Sequence, residues 1–256
     1  MGMISDLQPP PLPGAGESWA LFLDIDGTLV GFEDDPARVA IGEPLQRVVQ
    51  RLQSRLGGAL GILSGRGLAE IDALFEPLRF PAGAMHGHEL RDASGLLSLL
   101  APPTEVAAQV GEQAREKAAA LAGVTLESKG GIAFALHFRR APEQAQAAAE
   151  AAESIADASG GAYQVQHGDC VAELKPVGAD KGAALRYLME QPPFLGRRPV
   201  MVGDDLTDEL AFAVAQRLDG FGVVVGARRP TVARYHLSGP AVVHEWLGRI
   251  AESTSA

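Results

Sequence analysis

The sequence predicts an α/β protein: a doubly wound, Rossmann-like parallel sheet interrupted once by an α+β insertion. Three observations carry this. Short apolar runs at Leu21, Ala59 and Pro199 each end abruptly in polar residues. Each is followed by a stretch of helical spacing, which is the rhythm of an open parallel sheet with its site at the strand ends. Between residues 99 and 177 the rhythm changes to helix, hairpin, helix, hairpin, and near Asp180 the parallel rhythm resumes. The expected division is a leader over 1–18, a core from 19–98 and 178–256, and an insertion over 99–177.

The first run, LFLDIDGTLV, delivers Asp24 and Asp26 to a strand end. Side chains alternate along a strand, so the two carboxylates share a face while the extended geometry lasts. Gly27 lets the chain turn sharply, and Thr28 can cap or bind at the turn. Two neighbouring acids with no basic residue beside them repel each other and resist desolvation. A hard divalent cation such as Mg²⁺ relieves both.

Glu43 to Leu56 places Leu45, Val48, Val49, Leu52 and Leu56 at spacings of three and four, with Pro44 in the first turn, which predicts an amphipathic helix. The acidic segment before it could fold over the strand edge. ALGILSGR is a strand ending in Ser64, Gly65 and Arg66, and Leu68 to Phe75 a helix. Phe80 to Asp92 is strand-like and then turns through a polar cluster of His86, Gly87, His88, Glu89 and Arg91. Within the insertion, Thr104 to Leu121 and Ala141 to Ala158 are Ala- and Glu-rich helices. Val124 to Lys129 and Ile132 to Arg139 are strands joined by Gly130-Gly131, a hairpin signal. Ala162 to Gln166 and Cys170 to Lys175 form a second strand pair. Asp180-Lys181-Gly182 then opens a helix, PVMVGDDLTDE is a strand followed by acids, and Leu210 to Ala215, FGVVVG and AVVHEWLGRIA supply helix, strand and helix.

With 256 residues and 46% apolar content the chain can bury a large core. A net charge of −10 argues against nucleic acid or anionic membrane as partners, yet leaves room for a phosphorylated small molecule held in a local pocket. The single cysteine, Cys170, excludes an internal disulfide framework and a multi-cysteine zinc site. No His/Cys spacing suits tetrahedral zinc. No apolar run approaches the roughly 20 residues of a membrane span. The Pro/Gly-rich leader lacks the charged and apolar regions of a signal peptide, and Asp6 stands where myristoylation wants Ser or Thr. A flexible leader, a cytoplasmic location and a monomer are expected.

Four polar signals therefore fall at strand ends or a helix start: DIDGT, LSGR, the ADKG lysine and GDDLTDE. Their order resembles the haloacid-dehalogenase-like (HAD) superfamily over nearly the whole chain after residue 18. That resemblance implies phosphoryl transfer, with Asp24 as nucleophile and Asp26 as acid and base. It implies Mg²⁺ held by Asp24, the Asp26 carbonyl and Asp204, with Asp205 and Asp208 on its waters. Ser64, Gly65 and Lys181 would bind the phosphoryl oxygens, Arg66 would hold the phosphate or the loop, and Lys181 would steady the transition-state charge.

The position of the insertion resembles the C2-type cap of sugar phosphatases in that superfamily. Within it and beside it, HGHELR, ESKGGIAFALHFRRAP and AELKPVGADKG are similar to the trehalose-6-phosphate phosphatase family. By position that resemblance implies sugar contacts from Gly87, Glu89, Lys129, His137, Arg139 and Glu173. Two positions depart from the pattern: His88 stands where a small residue is usual, and Asp169 where a lysine is usual. They keep a phosphatase for another phosphosugar in view, such as glucosyl- or mannosylglycerate phosphate or sucrose 6-phosphate. A mutase of the superfamily usually carries a smaller cap elsewhere. A non-catalytic sugar-phosphate-binding module is opposed by the intact acids.

Overall fold

The computed structural model describes residues 7–31, 38–99, 102, 104–227 and 230–253. The chain forms two compact units, one of residues 1–99 with 180–256 and one of residues 100–179. Among the described residues no helix is long and apolar enough to cross a membrane.

The first unit is built on β1 (Trp19–Leu23), α1 (Glu43–Arg55), β2 (Leu60–Leu63), α2 (Leu68–Phe75), β3 (Ala82–Ala84), β4 (Glu89–Arg91) and β5 (Leu97–Leu99). The second unit contributes α3 (Thr104–Ala120), β6 (Thr125–Lys129), β7 (Ala133–His137), α4 (Ala145–Ala158), β8 (Tyr163–Gly168) and β9 (Val171–Pro176). The chain then returns to the first unit with α5 (Lys181–Met189), β10 (Arg198–Gly203), α6 (Asp208–Arg217), β11 (Phe221–Val225), β12 (Tyr235–Leu237) and α7 (Pro240–Glu252).

The eight strands of the first unit run in the order β12-β11-β10-β1-β2-β3-β4-β5. All neighbours from β12 to β3 are parallel, while β4 and β5 add an antiparallel edge. β1 is central and every residue in it is buried, as a strand covered on both faces requires. Trp19 meets Trp246 of α7 and Phe221, whereas Phe22 stacks on Phe194 and lies with Leu188 of α5 around Gly61. Trp19 and Phe22 differ in parity, so α7 and α5 cover opposite faces. Glycines make the α5–α6 side possible. A Cβ on Gly83 would stand 2.5 Å from Ala184 Cβ, and one on Gly222 would stand 2.6 Å from the Phe212 ring. Each fully buried aromatic or branched side chain contributes about 1.5–3 kcal/mol.

Successive strands wind outward from β1 through β2 to β3, and the later ones wind the other way through β10 to β12. The reversal between β1 and β10 is a topological switch point, where an open α/β sheet leaves a crevice beyond its strand ends.

Several elements differ from expectation. β5 and β12 are three-residue edge strands, too short for periodicity to reveal. A 3₁₀ turn over Pro142–Gln144 precedes α4, and α6 begins at Asp208 instead of Leu210. The leader is anchored over residues 7–18: Trp246 Nε1 donates to Pro11 O at 3.0 Å and His236 N to Gln8 O at 3.1 Å. Leu7 and Leu12 pack against the core. Two leucines among prolines bury apolar area at a low cost in chain entropy. The acidic segment over residues 32–37 lies outside the described residues.

The second unit is a four-stranded antiparallel sheet, β6-β7-β9-β8. Gly130 and Gly131 take φ of 60° and 71°, closing the tight turn between β6 and β7. Phe134, Leu136, Ala172 and Leu174 point to one face and cluster with Val110 and Ala114 of α3 and Ala152 and Ile155 of α4. Alternate residues, including Lys129, Ala133, Ala135, His137, Glu173 and Lys175, therefore point to the other face.

Candidate active site

The chain leaves β1 at Asp24, whose N–H still donates to Val202 O of β10 at 3.0 Å. It then closes a tight loop in which Gly27 N donates to Val30 O and Leu29 N to Ile25 O, both at 2.8 Å. Gly27 has φ of 80°, and a Cβ there would come within 2.3 Å of the Asp204 carboxylate. Only glycine permits both the turn and that approach. Thr28, fully buried, donates through Oγ1 to Asp204 Oδ1 at 3.1 Å.

Asp208 lies in the first turn of α6 and is 0% exposed. Its Oδ2 accepts from Asp204 N at 3.0 Å and from Asp205 N at 2.9 Å, so it shapes the loop that presents Asp204. Its Oδ1 accepts from Lys181 Nζ at 2.7 Å. Lys181 opens α5 behind its N-cap Asp180, and the same Nζ donates to Asp24 Oδ1 at 2.8 Å. Asp24, Asp204 and Asp208 each offer a carboxylate oxygen within 4.8 Å of the others. Asp205 lies outside this trio and is exposed.

Arg66 grips Asp26 with Nε to Oδ2 and Nη2 to Oδ1, both at 2.7 Å. The sequence left Arg66 to the loop or to the phosphate; here its partner is the second aspartate of the loop. Ser64 is buried at the end of β2, and its Oγ accepts from Arg66 N at 3.2 Å. Ser64 O and Arg66 O accept from His86 N and Met85 N of the next turn, at 2.9 and 2.8 Å. Met85, His86 and Gly87 all have positive φ, and the His86 ring packs on Gly65.

The implied sugar contacts fall in two places. In the first unit, Gly87 packs so closely on Asp180 that a Cβ would stand 2.3 Å from its carbonyl oxygen. Glu89 Oε2 accepts from Leu68 N at 3.1 Å, at the start of α2. In the second unit, Lys129 Nζ donates to Glu173 Oε1 at 3.0 Å, His137 Nε2 lies 2.8 Å from Glu127, and Arg139 donates to Asp169 at 2.7 Å. Asp169, which departs from the family pattern, thus neutralises Arg139. His88 is buried beneath the turn.

A family description, trehalose-phosphatase, matches residues 22–241. The chain belongs to the trehalose-phosphatase family. It is 39% identical to the trehalose-6-phosphate phosphatase of Escherichia coli over 238 residues, 93% of this chain and 88% of that protein. It is 28% identical to a trehalose 6-phosphate phosphatase of Zea mays, covering 99% of this chain and 75% of that one. The Aspergillus fumigatus trehalose-6-phosphate phosphatase structure superposes with a TM-score of 0.71 at 25% identity, covering 91% of this chain and 93% of that one. A HAD-superfamily phosphatase from Bacteroides thetaiotaomicron shares the fold, with a TM-score of 0.62 at 16% identity over 91% of this chain and 94% of that one.

The electrostatics of this trehalose-phosphatase-family site follow from three acids and one cation in a buried crevice. Burial pushes Asp24 well above the usual carboxylate range; Lys181 opposes that and Asp208 adds to it. Burial, then repulsion from Asp208, lifts Asp204 to about 6, against the hydrogen bond from Thr28. Burial alone would lower the Lys181 ammonium, but Asp208 and Asp24 outweigh it and hold it protonated. One cation does not balance the acids. A second positive charge beside Asp24 and Asp204 fits this donor set of hard oxygens. Asp208 fits less well as a direct ligand, because both its oxygens already accept hydrogen bonds.

Sequence reasoning gave Thr28 only a capping or binding role at its own turn, and in the left-handed turn at Met85–Gly87 it assigned Gly87 alone. The Thr in DIDGT was visible, but its partner lies 176 residues away. Positive φ at a methionine and a histidine leaves no sequence signal.

Proposed function

We propose that this enzyme hydrolyses trehalose 6-phosphate to trehalose and inorganic phosphate, in the cytoplasm and as a monomer. The observation that carries the reading is Asp24 at the switch point, hydrogen-bonded to Lys181 and within reach of Asp204. The trehalose 6-phosphate phosphatase names of its high-coverage relatives supply the substrate.

In the proposed reaction Asp24 attacks phosphorus, and the bond from phosphorus to the sugar oxygen breaks as Asp26 donates a proton to that oxygen. Water then attacks the aspartyl-phosphate, Asp26 takes its proton, and the bond from phosphorus to Asp24 breaks. Lys181 and the loop of Ser64 and Gly65 stabilise charge on the phosphoryl oxygens. Asp24 and Asp204 are the residues that would hold Mg²⁺, with Asp208 fixing the loop of Asp204 and Asp205. Mg²⁺ when bound supplies charge neutralisation at the phosphoryl group.

Arg66 orients Asp26 for its two proton transfers, with Nε and Nη2 each donating to one carboxylate oxygen at 2.7 Å. Both Asp26 oxygens accept from Arg66, so donating a proton to the sugar oxygen requires Arg66 to release one of them, and the arriving phosphoryl dianion is the anion able to take it over. Lys129, His137, Arg139 and Glu173 are the sugar contacts carried over from the family, and a pair of half-buried Lys129 and buried Glu173 suits recognition of hydroxyls. The Arg139–Asp169 pair favours a second reading, a related phosphosugar, because it withdraws one cation from that set.

Phosphate release from a panel of phosphosugars, with and without Mg²⁺, decides between them. Trehalose 6-phosphate should give the highest kcat/KM and require Mg²⁺. Equal or faster turnover of another phosphosugar would overturn the substrate.

A further inference from the structure

The face of the second unit turned away from its helices carries more polar side chains than the family resemblance assigns. Strand register sets Glu127, Ala135, Glu173 and Gln166 side by side across β6, β7, β9 and β8. Lys129 pairs with Ala133 in the next row. Because the β7 positions are alanines, Lys129 can cross that strand to reach Glu173 Oε1 at 3.0 Å.

Gln166 stands directly opposite Glu173, so the two Cβ atoms are about 5 Å apart. Lys175 Nζ donates to Gln166 Oε1 at 3.0 Å. An ammonium only donates, so the amide oxygen must face Lys175 and the amide NH₂ must turn away from it. Glu173 uses Oε1 for Lys129, and among the described residues no other hydrogen bond reaches it. Its Oε2 remains an acceptor. Glu173 and Lys175 are buried and Gln166 half-buried, so these groups are held in place and poorly hydrated. An NH₂ donor next to a carboxylate acceptor complements two adjacent hydroxyls, since each hydroxyl both donates and accepts.

We propose that Gln166 is a specificity-determining residue. Its amide donates to one hydroxyl of a vicinal diol on the sugar, and Glu173 Oε2 accepts from the neighbouring hydroxyl. Lys175 is the positioning residue that fixes which way the amide points. This rests on the phosphosugar reading above.

The test compares kcat/KM for trehalose 6-phosphate with that for p-nitrophenyl phosphate, which has no diol, in the full-length enzyme. Gln166→Leu should lower the ratio of the two about tenfold, through KM for the sugar phosphate. Lys175→Met should lower it less, in the same direction. Gln166→Asn keeps the amide but retracts it, and should fall between wild type and Gln166→Leu; it carries the test if the leucine variant does not fold. An unchanged ratio in Gln166→Leu, or in Gln166→Asn where that variant alone folds, would overturn the role of the amide while leaving the substrate reading intact. So would equal losses on both substrates. A wild-type enzyme with no preference for trehalose 6-phosphate would overturn the substrate reading itself, and the proposal with it.

Discussion

Asp24 and Asp208 are both buried carboxylates on the same lysine, yet they call for different outcomes on substitution. Among the described residues Asp24 accepts one side-chain hydrogen bond, from Lys181, and burial disfavours its charge. Asp24→Asn should therefore lower turnover by about 10⁴-fold or more while the melting temperature stays level or rises. Phosphate release and a thermal melt on one preparation check this, and substantial residual turnover would mean another nucleophile. Asp208 accepts from Lys181 and from two backbone N–H groups. Asp208→Ala strands all three donors and should destabilise the protein by about 3–5 kcal/mol in urea unfolding. Gly27→Ala meets a different obstacle, because its methyl would press on the Asp204 carboxylate from a strained φ. It should weaken Mg²⁺ activation at least tenfold, read as a rise in the Mg²⁺ concentration for half-maximal rate; roughly 1.4 kcal/mol of displaced ligand geometry suffices.

The packing of helices onto the sheet depends on small residues in register. Phe22 aligns with Gly61 on one side and Met201 on the other, and Met201 aligns with Gly222. This row lies under α5 and α6, and the Phe212 ring fills the space that Gly222 leaves. Gly222→Ala should cost about 1–3 kcal/mol in stability through overpacking, with KM for substrate unchanged because the row lies in the core behind the strand ends. Urea unfolding and steady-state kinetics separate the two effects.

Across the molecule, the excess of acids couples protonation, cation binding and stability. Asp204 has a folded value of about 6 against a model-peptide value of 3.8. Between those values the unfolded chain releases its proton while the folded chain keeps it, so this group makes stability fall as pH rises from about 4 to about 6, then level off. Asp24, also raised, acts in the same direction. A divalent cation binds the folded, deprotonated site, and at 100-fold over its Kd it stabilises by about 2.7 kcal/mol. The melting-temperature gain from Mg²⁺ should therefore grow as pH rises through about 6. Asp204→Asn should remove that gain and the Asp204 share of the metal-free decline, leaving the part due to Asp24. Melting curves in EDTA and in Mg²⁺ across this range check it, and a Mg²⁺ gain independent of pH would contradict it.

Much of this was legible from the chain alone. Apolar runs ending in DIDGT, LSGR and GDDLTDE mark strand ends, because uninterrupted apolar residues report a strand buried on both faces and the first polar residue reports where it emerges. The change in rhythm after residue 99 marked the inserted segment for the same reason. The short edge strands β5 and β12 escaped, since three residues carry no period. The anchoring of Leu7 and Leu12 escaped because two leucines among prolines do not show what they will pack against.

Periodicity determined which side chains are buried and where strands end; it could not determine partners. That Arg66 clasps Asp26, that Thr28 holds Asp204 from 176 residues away, and that Gln166 stands opposite Glu173 were decided only by the tertiary structure. A sequence records each residue's own burial preference, whereas a site is made of pairings across strands. The Thr28–Asp204 pairing is fixed only when β10 settles beside β1, the Arg66–Asp26 pairing when β2 settles on the other side, and the Gln166–Glu173 pairing when β8 lies against β9.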